Sequence, residues 1–455
     1  MLVAWGRSLL LALFVLYIIW MALLFYHTVN EAGAIEVLRD ELPRYAPDRP
    51  AQALLLAWIF GSFLQGASGF GVPAAVVAPL LLGLGFAPNA AVVMALLGHA
   101  WAITYGSLGS SFFALMAATG LPGEMLQEPV AWMLGLVCLC CGAGVLLAAG
   151  GWSALRRRWL SMLSLSVLMA AVQWALALAG LWSLAAFGAG LVGLVAAVFL
   201  FRRESRGQDG NGRALAGAFA PYLLLVVIIV LGELVLSRPL AVVQLNYEFP
   251  AVETSLGWET AGGPGRSVSL FGHAGALLLY ASLLTFLWFR RAGTMNQNSN
   301  YNFGIIARKT LAGSVKATIG ITTMVAMALT MQHAGMTQLL AESLSNTGAL
   351  FPVISPFIGA LGAFMTGSNT NSNVVFGQLQ MQTAIALQLS LPLILAAQTA
   401  GGAVGSIFAP AKVIVGCSTV AGAEDGPVLK SASLYGLAII FIIGALTAIV
   451  AIVTG

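Results

Sequence analysis

The residues best able to do chemistry in this chain are neutral and polar, and they stand where the sequence is otherwise apolar. Residues 366–373 read TGSNTNSN, in which Thr366, Ser368, Asn369, Thr370, Asn371, Ser372 and Asn373 all carry a hydroxyl or an amide. Such groups can coordinate a carboxylate, a substrate hydroxyl or a cation. An earlier stretch, GSFLQGASGFGVPAAVVAPLLLGLGF at 61–86, sets Gln65 and Ser68 among Gly66, Gly69, Gly71 and Pro73. Gly and Pro weaken a helix interior, Pro by about 3 kcal/mol, so a helix is expected to break there. A broken helix frees N–H groups at the start of its second half. With the positive end of the dipole they form an anion site that needs no dedicated arginine.

Titratable groups are few. His99, in LLGHAWAITYG, reads as a proton carrier or as a satisfied structural histidine. Lys412, after Pro410, could offset a substrate charge or snorkel to the interface. Glu233 reads as interfacial, and His27, His273 and His333 as helix-end residues. Cys138, Cys140 and Cys141 share one apolar run without His, Asp or Glu, and with Cys417 they read as small hydrophobes. Gly66-x-x-Gly69-x-Gly71 is not GxGxxG and has no βαβ context. There is no His-Glu-x-x-His, no paired membrane aspartate and no nucleophile–base pattern. The expectation is therefore a protein that is not an enzyme and holds no cofactor and no metal.

The elements that must position these residues follow from composition. Of 455 residues 59% are hydrophobic and only 8% charged, whereas soluble domains carry about 25% charged residues. Apolar runs of about 20 residues, the length that crosses a bilayer, recur. A barrel is excluded because its strands would alternate polar and apolar residues. The class is all-α, a polytopic helical membrane protein with about 11–13 membrane segments.

The net charge of +4 does not point to nucleic acid, because 11 of the 20 Lys and Arg sit in three short segments, around 156–158, 202–213 and 290–309. That is the positive-inside pattern. With those segments in the cytoplasm, helices at about 129–150, 159–180, 183–201, 217–236 and 271–289 close the parity, with 120–128 and 237–270 outside. Arg7 and the apolar run to Tyr26 read as a retained first span, longer than a secretory core of about 7–15 residues. The 27–50 segment carries Ile35, Leu38 and Leu42 at helical spacing, as an amphipathic surface helix would.

An internal repeat organises the chain. GSFLQGAS at Gly61 returns 301 residues later as GAFMTGSN at Gly362, and AITYGSLGS around Gly106 has a weaker partner in GGAVGSIFAP around Gly405. Chance matching of Gly-rich apolar segments is the competing reading. The match falls, however, on the two most broken segments of two halves, and paired interruptions mark the binding site of a secondary transporter. Two repeats are expected, at 1–201 with a broken core at 52–118 and at 214–455 with a broken core at 350–412, joined by a basic cytoplasmic linker at 202–213.

At these residues the chain resembles the L-lactate permease family. GSFLQGASGFGVPAAVVAPLLLGLGF and SPFIGALGAFMTGSNTNSNVVFGQLQ are similar to two signature segments, and AAQTAGGAVGSIFAP to a third, over roughly residues 20–450. The resemblance implies a multi-pass symporter of the bacterial inner membrane for lactate, glycolate and similar 2-hydroxy monocarboxylates, usually proton-driven. It also implies that the two repeats are inverted, with re-entrant hairpins and an elevator motion; transporters of that type are often homodimers. The expected substrate site comprises Gln65, Gly66, Ser68, Gly69 and Gly71, then Thr366, Gly367, Ser368, Asn369, Thr370 and Asn373, then Gln398, Thr399, Gly401 and Gly402. His99 and Lys412 are the candidates for proton coupling.

The departures from the family pattern concern charge. Gln65 stands where the family typically has Glu, Asn369 where it has Asp, His99 and Ala100 where it has Asn-Thr, and Ser406 where it has Lys. The chain also reads as shorter at its N-terminus than the family by about two helices. With both carboxylates replaced, the coupling ion is expected to be either proton or sodium. The alternatives are a dicarboxylate or sulfonate carrier with sodium coupling, and a non-transporting accessory protein.

Overall fold

A computed structural model describes residues 2–454 except 70, 203, 205–210, 256, 298 and 299. Most of the expected basic linker therefore lies outside the described residues. Helix α1 (Leu2–Glu31) is apolar on all sides and is followed, after a left-handed turn at Gly33, by α2 (Ala34–Glu41). Ile35, Leu38 and Leu42 are buried, as their spacing requires. Helix α3 starts at an Asp48 cap, whose carboxylate accepts from Ala51 N at 2.9 Å, and runs through Arg49–Gln52, a wider π segment at Ala53–Phe60, and Gly61–Ala67.

The chain then breaks and resumes as α4 (Val72–Gly83), α5 (Pro88–Gly98) and α6 (Gly106–Thr119). Helix α7 (Gly123–Leu178) leaves helical geometry only at Gly150 and Gly151. Arg156, Arg157 and Arg158 thus open its second arm instead of forming the expected loop. After α8 (Ala185–Arg202), α9 (Gly212–Val230) and a π turn at Leu231–Val235, the 237–270 segment forms a small antiparallel hairpin. Its pairs are Gln244↔Ser269, Glu248↔Pro264 and Val252↔Thr260. The polar segment meets its backbone hydrogen bonds within itself, so an otherwise helical protein carries a few strand residues there.

The second half contains α10 (Ala274–Ala292), α11 (Phe303–His333), α12 (Met336–Ser345), α13 (Phe351–Thr366), α14 (Asn369–Ala386), α15 (Leu391–Gly405), α16 (Pro410–Ser418) and α17 (Asp425–Thr454). Among the described residues eight helices are long and apolar enough to cross a membrane, and the bent pair Pro88–Ala102 and Gly106–Thr119 makes a ninth. The 11–13 membrane segments expected include pieces outside that count, since Val72–Gly83 is shorter than a bilayer and Gly123–Leu178 joins two arms across Gly150 and Gly151. Leu160, Leu311, Leu434 and Phe441 are exposed on the outer helices, an exterior suited to lipid.

The interior packs through small residues, which let helices approach closely where hydrophobic burial offers no preference over lipid. A side chain at Gly401 would run into the Pro356 carbonyl, and one at Gly405 into the Ala360 backbone, so α13 and α15 touch along their backbones. Gly66 serves the same purpose between α3 and α8, where a Cβ would lie 2.5 Å from Phe187 Cα. In both halves the order is helix, break, helix, then a second broken pair: α3 to α6, and α13 to α16.

Candidate functional site

The break between α5 and α6 is built from a short 3-10 turn at Ala100–Ala102 and a left-handed passage through Ser107, Leu108 and Gly109, with φ of 47°, 54° and 83°. Positive φ at two non-glycine residues is costly and persists only where the surroundings hold it. The helices on either side differ in direction by 54°, and Thr104 and Ser111 lie on the two edges of the break. In the other half, α13 stops at Gly367, left-handed at φ 70°, and Ser368 is extended before α14 begins at Asn369. Helix α15 runs unbroken past both and presents Thr399.

These elements meet in one buried cluster. Asn369 Nδ2 donates to Thr104 Oγ1 at 3.1 Å and to Thr399 Oγ1 at 3.2 Å, and Asn373 Nδ2 donates to Thr399 Oγ1 at 2.8 Å and to Ser111 O at 2.9 Å. The Thr104 and Thr399 hydroxyls are 3.2 Å apart, and those of Ser111 and Thr370 are 2.8 Å apart. All six residues are buried. With its donors spent on hydroxyls, each asparagine keeps a buried Oδ1 without a partner. Asn369 Oδ1 faces Gly402 so closely that a Cβ there would collide with it.

Around the first break the sequence-predicted residues also converge. Ser107 Oγ donates to Ser68 O at 3.3 Å, and a Cβ at Gly106 would lie 2.8 Å from Gln65 Nε2. Gln65 thus covers the α5–α6 break, and Gly69 leaves room for Ser107. Gly71 and Gly367 have left-handed φ, 86° and 70°, and both face α16, at Val415 and Ala411. They are glycines for their backbone shape, since a Cβ would find ordinary spacing there.

The two titratable candidates are neighbours. Lys412 Nζ donates to Ser406 Oγ at 2.9 Å, and Ser406 Oγ in turn donates to Ala403 O at 2.9 Å. No carboxylate within ion-pair distance of Lys412 is found among the described residues. His99 is fully buried at the end of α5 and lies within reach of the Lys412 charge. Its Nδ1 donates to Ala95 O at 2.7 Å, which leaves Nε2 as a buried acceptor without a partner.

Other expected residues have local duties. Thr366 Oγ1 donates to Gly362 O and Ser368 Oγ accepts from Asn371 N, so both hydroxyls cap helix ends. Gln398 accepts from Gln380 Nε2 at 3.0 Å and donates to Ser372 Oγ at 3.1 Å, stitching α14 to α15. Thr104 and Ser111 escape the sequence reading, although the hydroxyls in AITYGSLGSS interrupt an apolar run as TGSNTNSN does. Among the described residues no group of His, Cys, Asp and Glu could hold a metal ion.

The family model described as L-lactate permease matches residues 3–454 of this chain. The L-lactate permease of Bacillus subtilis (strain 168) is 26% identical over 456 residues, spanning 90% of this chain and 80% of that protein. Glycolate permease GlcA of Escherichia coli (strain K12) is 25% identical over 442 residues, spanning 88% and 78%. Among solved structures, Neisseria gonorrhoeae MtrF, of a class of antimetabolite efflux pumps, aligns with a TM-score of 0.50 at 14% identity, covering 96% of this chain and 81% of that one. Likeness at that identity concerns the fold alone.

Proposed function

The chain belongs to the L-lactate permease family, and we propose that it is a secondary active importer of a small 2-hydroxy monocarboxylate such as lactate or glycolate. It works by ion symport with alternating access, from two inverted repeats in the bacterial inner membrane. The observation that carries this reading is the buried junction of Thr104 and Ser111 from one half with Asn369, Asn373 and Thr399 from the other, placed at two helix breaks, with Lys412 nearby and without an ion-pair partner among the described residues. A polar site built at paired helix breaks suits alternating access, in which one part of the molecule moves against the rest so that the site opens to either side.

In this reading Lys412 and the first N–H groups of α14 hold the carboxylate. The unpartnered amide oxygens of Asn369 and Asn373 accept the substrate hydroxyl. His99 Nε2 takes the coupled proton. Lys412 opposes a second positive charge nearby, and a bound carboxylate cancels that opposition, so anion and proton enter together. Sodium coupling is the second reading, favoured by the same two amide oxygens, which are also cation ligands.

The test is uptake of radiolabelled L-lactate and glycolate into proteoliposomes under an imposed proton gradient and, separately, a sodium gradient. Accumulation with protons that disappears in Asn369→Leu, with membrane insertion intact, is the expected result. Full activity of that variant would remove the second break from the site. No flux under either gradient would leave a different anion or a non-transporting protein.

A further inference from the structure

Glu233, read from the sequence as interfacial, and His273, read as a helix-end residue, line a second polar space distinct from the cluster above. It is a cavity of about 370 Å³ bounded by the α7–α8 turn at Trp182, the end of the Gly212–Val235 span, the 237–270 hairpin, and the rings of Phe14 and Phe113. The charge bias of the chain puts this face outside. Ser183 Oγ donates to Glu233 Oε1 at 2.5 Å, while Glu233 Oε2 is buried without a partner. On another wall, Gly275 N donates to His273 Nδ1 at 3.2 Å, so the proton of the neutral ring sits on Nε2, which is also buried and unpartnered. Tyr17 stacks on the imidazole at 5.2 Å, and the Arg266 guanidinium sits over the Phe14 ring at 4.2 Å. The cavity therefore has an acceptor at one pole and a donor backed by a cation at the other, with apolar walls between.

We propose that this cavity is an outer binding site for a hydroxy monocarboxylate. The carboxylate takes the His273 Nε2–H on the side of Arg266, and the hydroxyl donates to Glu233 Oε2. The choice of solute rests on the transport reading above; the site itself rests on the two buried, unmatched groups. A ligand that answers both removes the desolvation cost of leaving each unpaired. Phe113 lies two residues from Ser111, which bonds Thr370 in the core cluster, and its ring meets those of Phe14 and Trp182 at 6.2 and 6.0 Å. Solute held here waits one aromatic layer from the core.

Equilibrium binding of radiolabelled glycolate to the purified full-length protein, alongside uptake kinetics, tests the proposal. The wild type should bind two equivalents. Glu233→Gln and His273→Asn, the latter keeping a residue that caps α10, should each lose one equivalent and raise KM for uptake about fivefold with the maximal rate within about twofold. Thr399→Val should lose the other equivalent and uptake while keeping the outer one. A single equivalent that vanishes in Thr399→Val, or wild-type binding and KM in both outer variants, overturns the outer site. Binding that survives Thr399→Val and vanishes in His273→Asn, in a wild type without uptake, would keep the outer site and overturn the transport reading.

Discussion

Lys412 Nζ lies 2.9 Å from Ser406 Oγ, across the break between α15 and α16. The family resemblance places a lysine at the position of Ser406. Here the lysine stands six residues later, on the next helix, and its ammonium returns to the place that Ser406 marks.

Lys412→Met should therefore lower saturable anion uptake at least tenfold, whereas Ser406→Ala, which removes one hydrogen bond, should raise KM only a few-fold. The double change Ser406→Lys with Lys412→Met should recover part of the uptake. If it does not, the two positions are not interchangeable sources of charge.

Thr399 Oγ1 accepts from both Asn369 and Asn373. Thr399→Val leaves those amide groups short of an acceptor, at about 1–3 kcal/mol for each one left unsatisfied, and uptake should be lost. Thr399→Ser keeps the oxygen and should retain most of it. Equal activity of the two variants would mean that the hydroxyl is structural detail only.

His99→Gln keeps a side chain of similar reach but carries no proton between states. Gradient-driven accumulation of lactate should fall to the level of exchange, while lactate–lactate exchange continues. Unchanged proton-driven accumulation would move the coupling away from His99, and a sodium-dependent residue of activity would move it to the amide oxygens.

Two glycine variants separate packing from backbone shape. Gly401→Ala drives a methyl group into the Pro356 carbonyl, and overpacking of this kind costs about 1–3 kcal/mol. Gly71→Ala meets no such obstacle and pays only for its left-handed φ, about 1–2 kcal/mol. Thermal unfolding in detergent should rank Gly401→Ala below Gly71→Ala.

Where α3 begins beside the second arm of α7, Asp48 joins Arg158 at 2.7 Å and Arg157 at 3.0 Å, and Arg158 also holds Glu204 at 2.6 Å. Burial alone would push the Asp48 carboxyl up, but the Arg158 hydrogen bonds, the Ala51 N–H and the two arginine charges outweigh it and hold it below 3.8. A depressed carboxyl contributes stability that is complete above 3.8 and is lost as the pH falls through the lower folded value. Thermal stability should drop over that acid window in the wild type and less so in Asp48→Asn.

Much of this was legible in the sequence because it is local. Apolar composition dictates membrane helices, and Gly69, Gly71 and Gly367 mark breaks because their left-handed backbone excludes most other residues. The run from Thr366 to Asn373 announces a polar site because an apolar stretch cannot keep so many hydroxyls and amides without partners. Which of them face that site was not legible. Thr366 and Ser368 turn to cap their own helix ends, and Gln398 turns to Gln380, choices set by helix phase and by neighbours far away in the chain.

What the sequence determined by itself is the membrane class, the places where helices fail, and the family. What only the tertiary structure decided is pairing. Thr104 meets Thr399 across 295 residues and Asn369 across 265. Lys412 finds Ser406, and Glu233, read as interfacial, and His273, read as a helix-end residue, line one cavity. A residue's type and spacing restrict its own turn of backbone, whereas a hydrogen bond between halves depends on how two broken helices dock, as where α14 comes close to α6 at Gly377, beside Leu115 and Thr119.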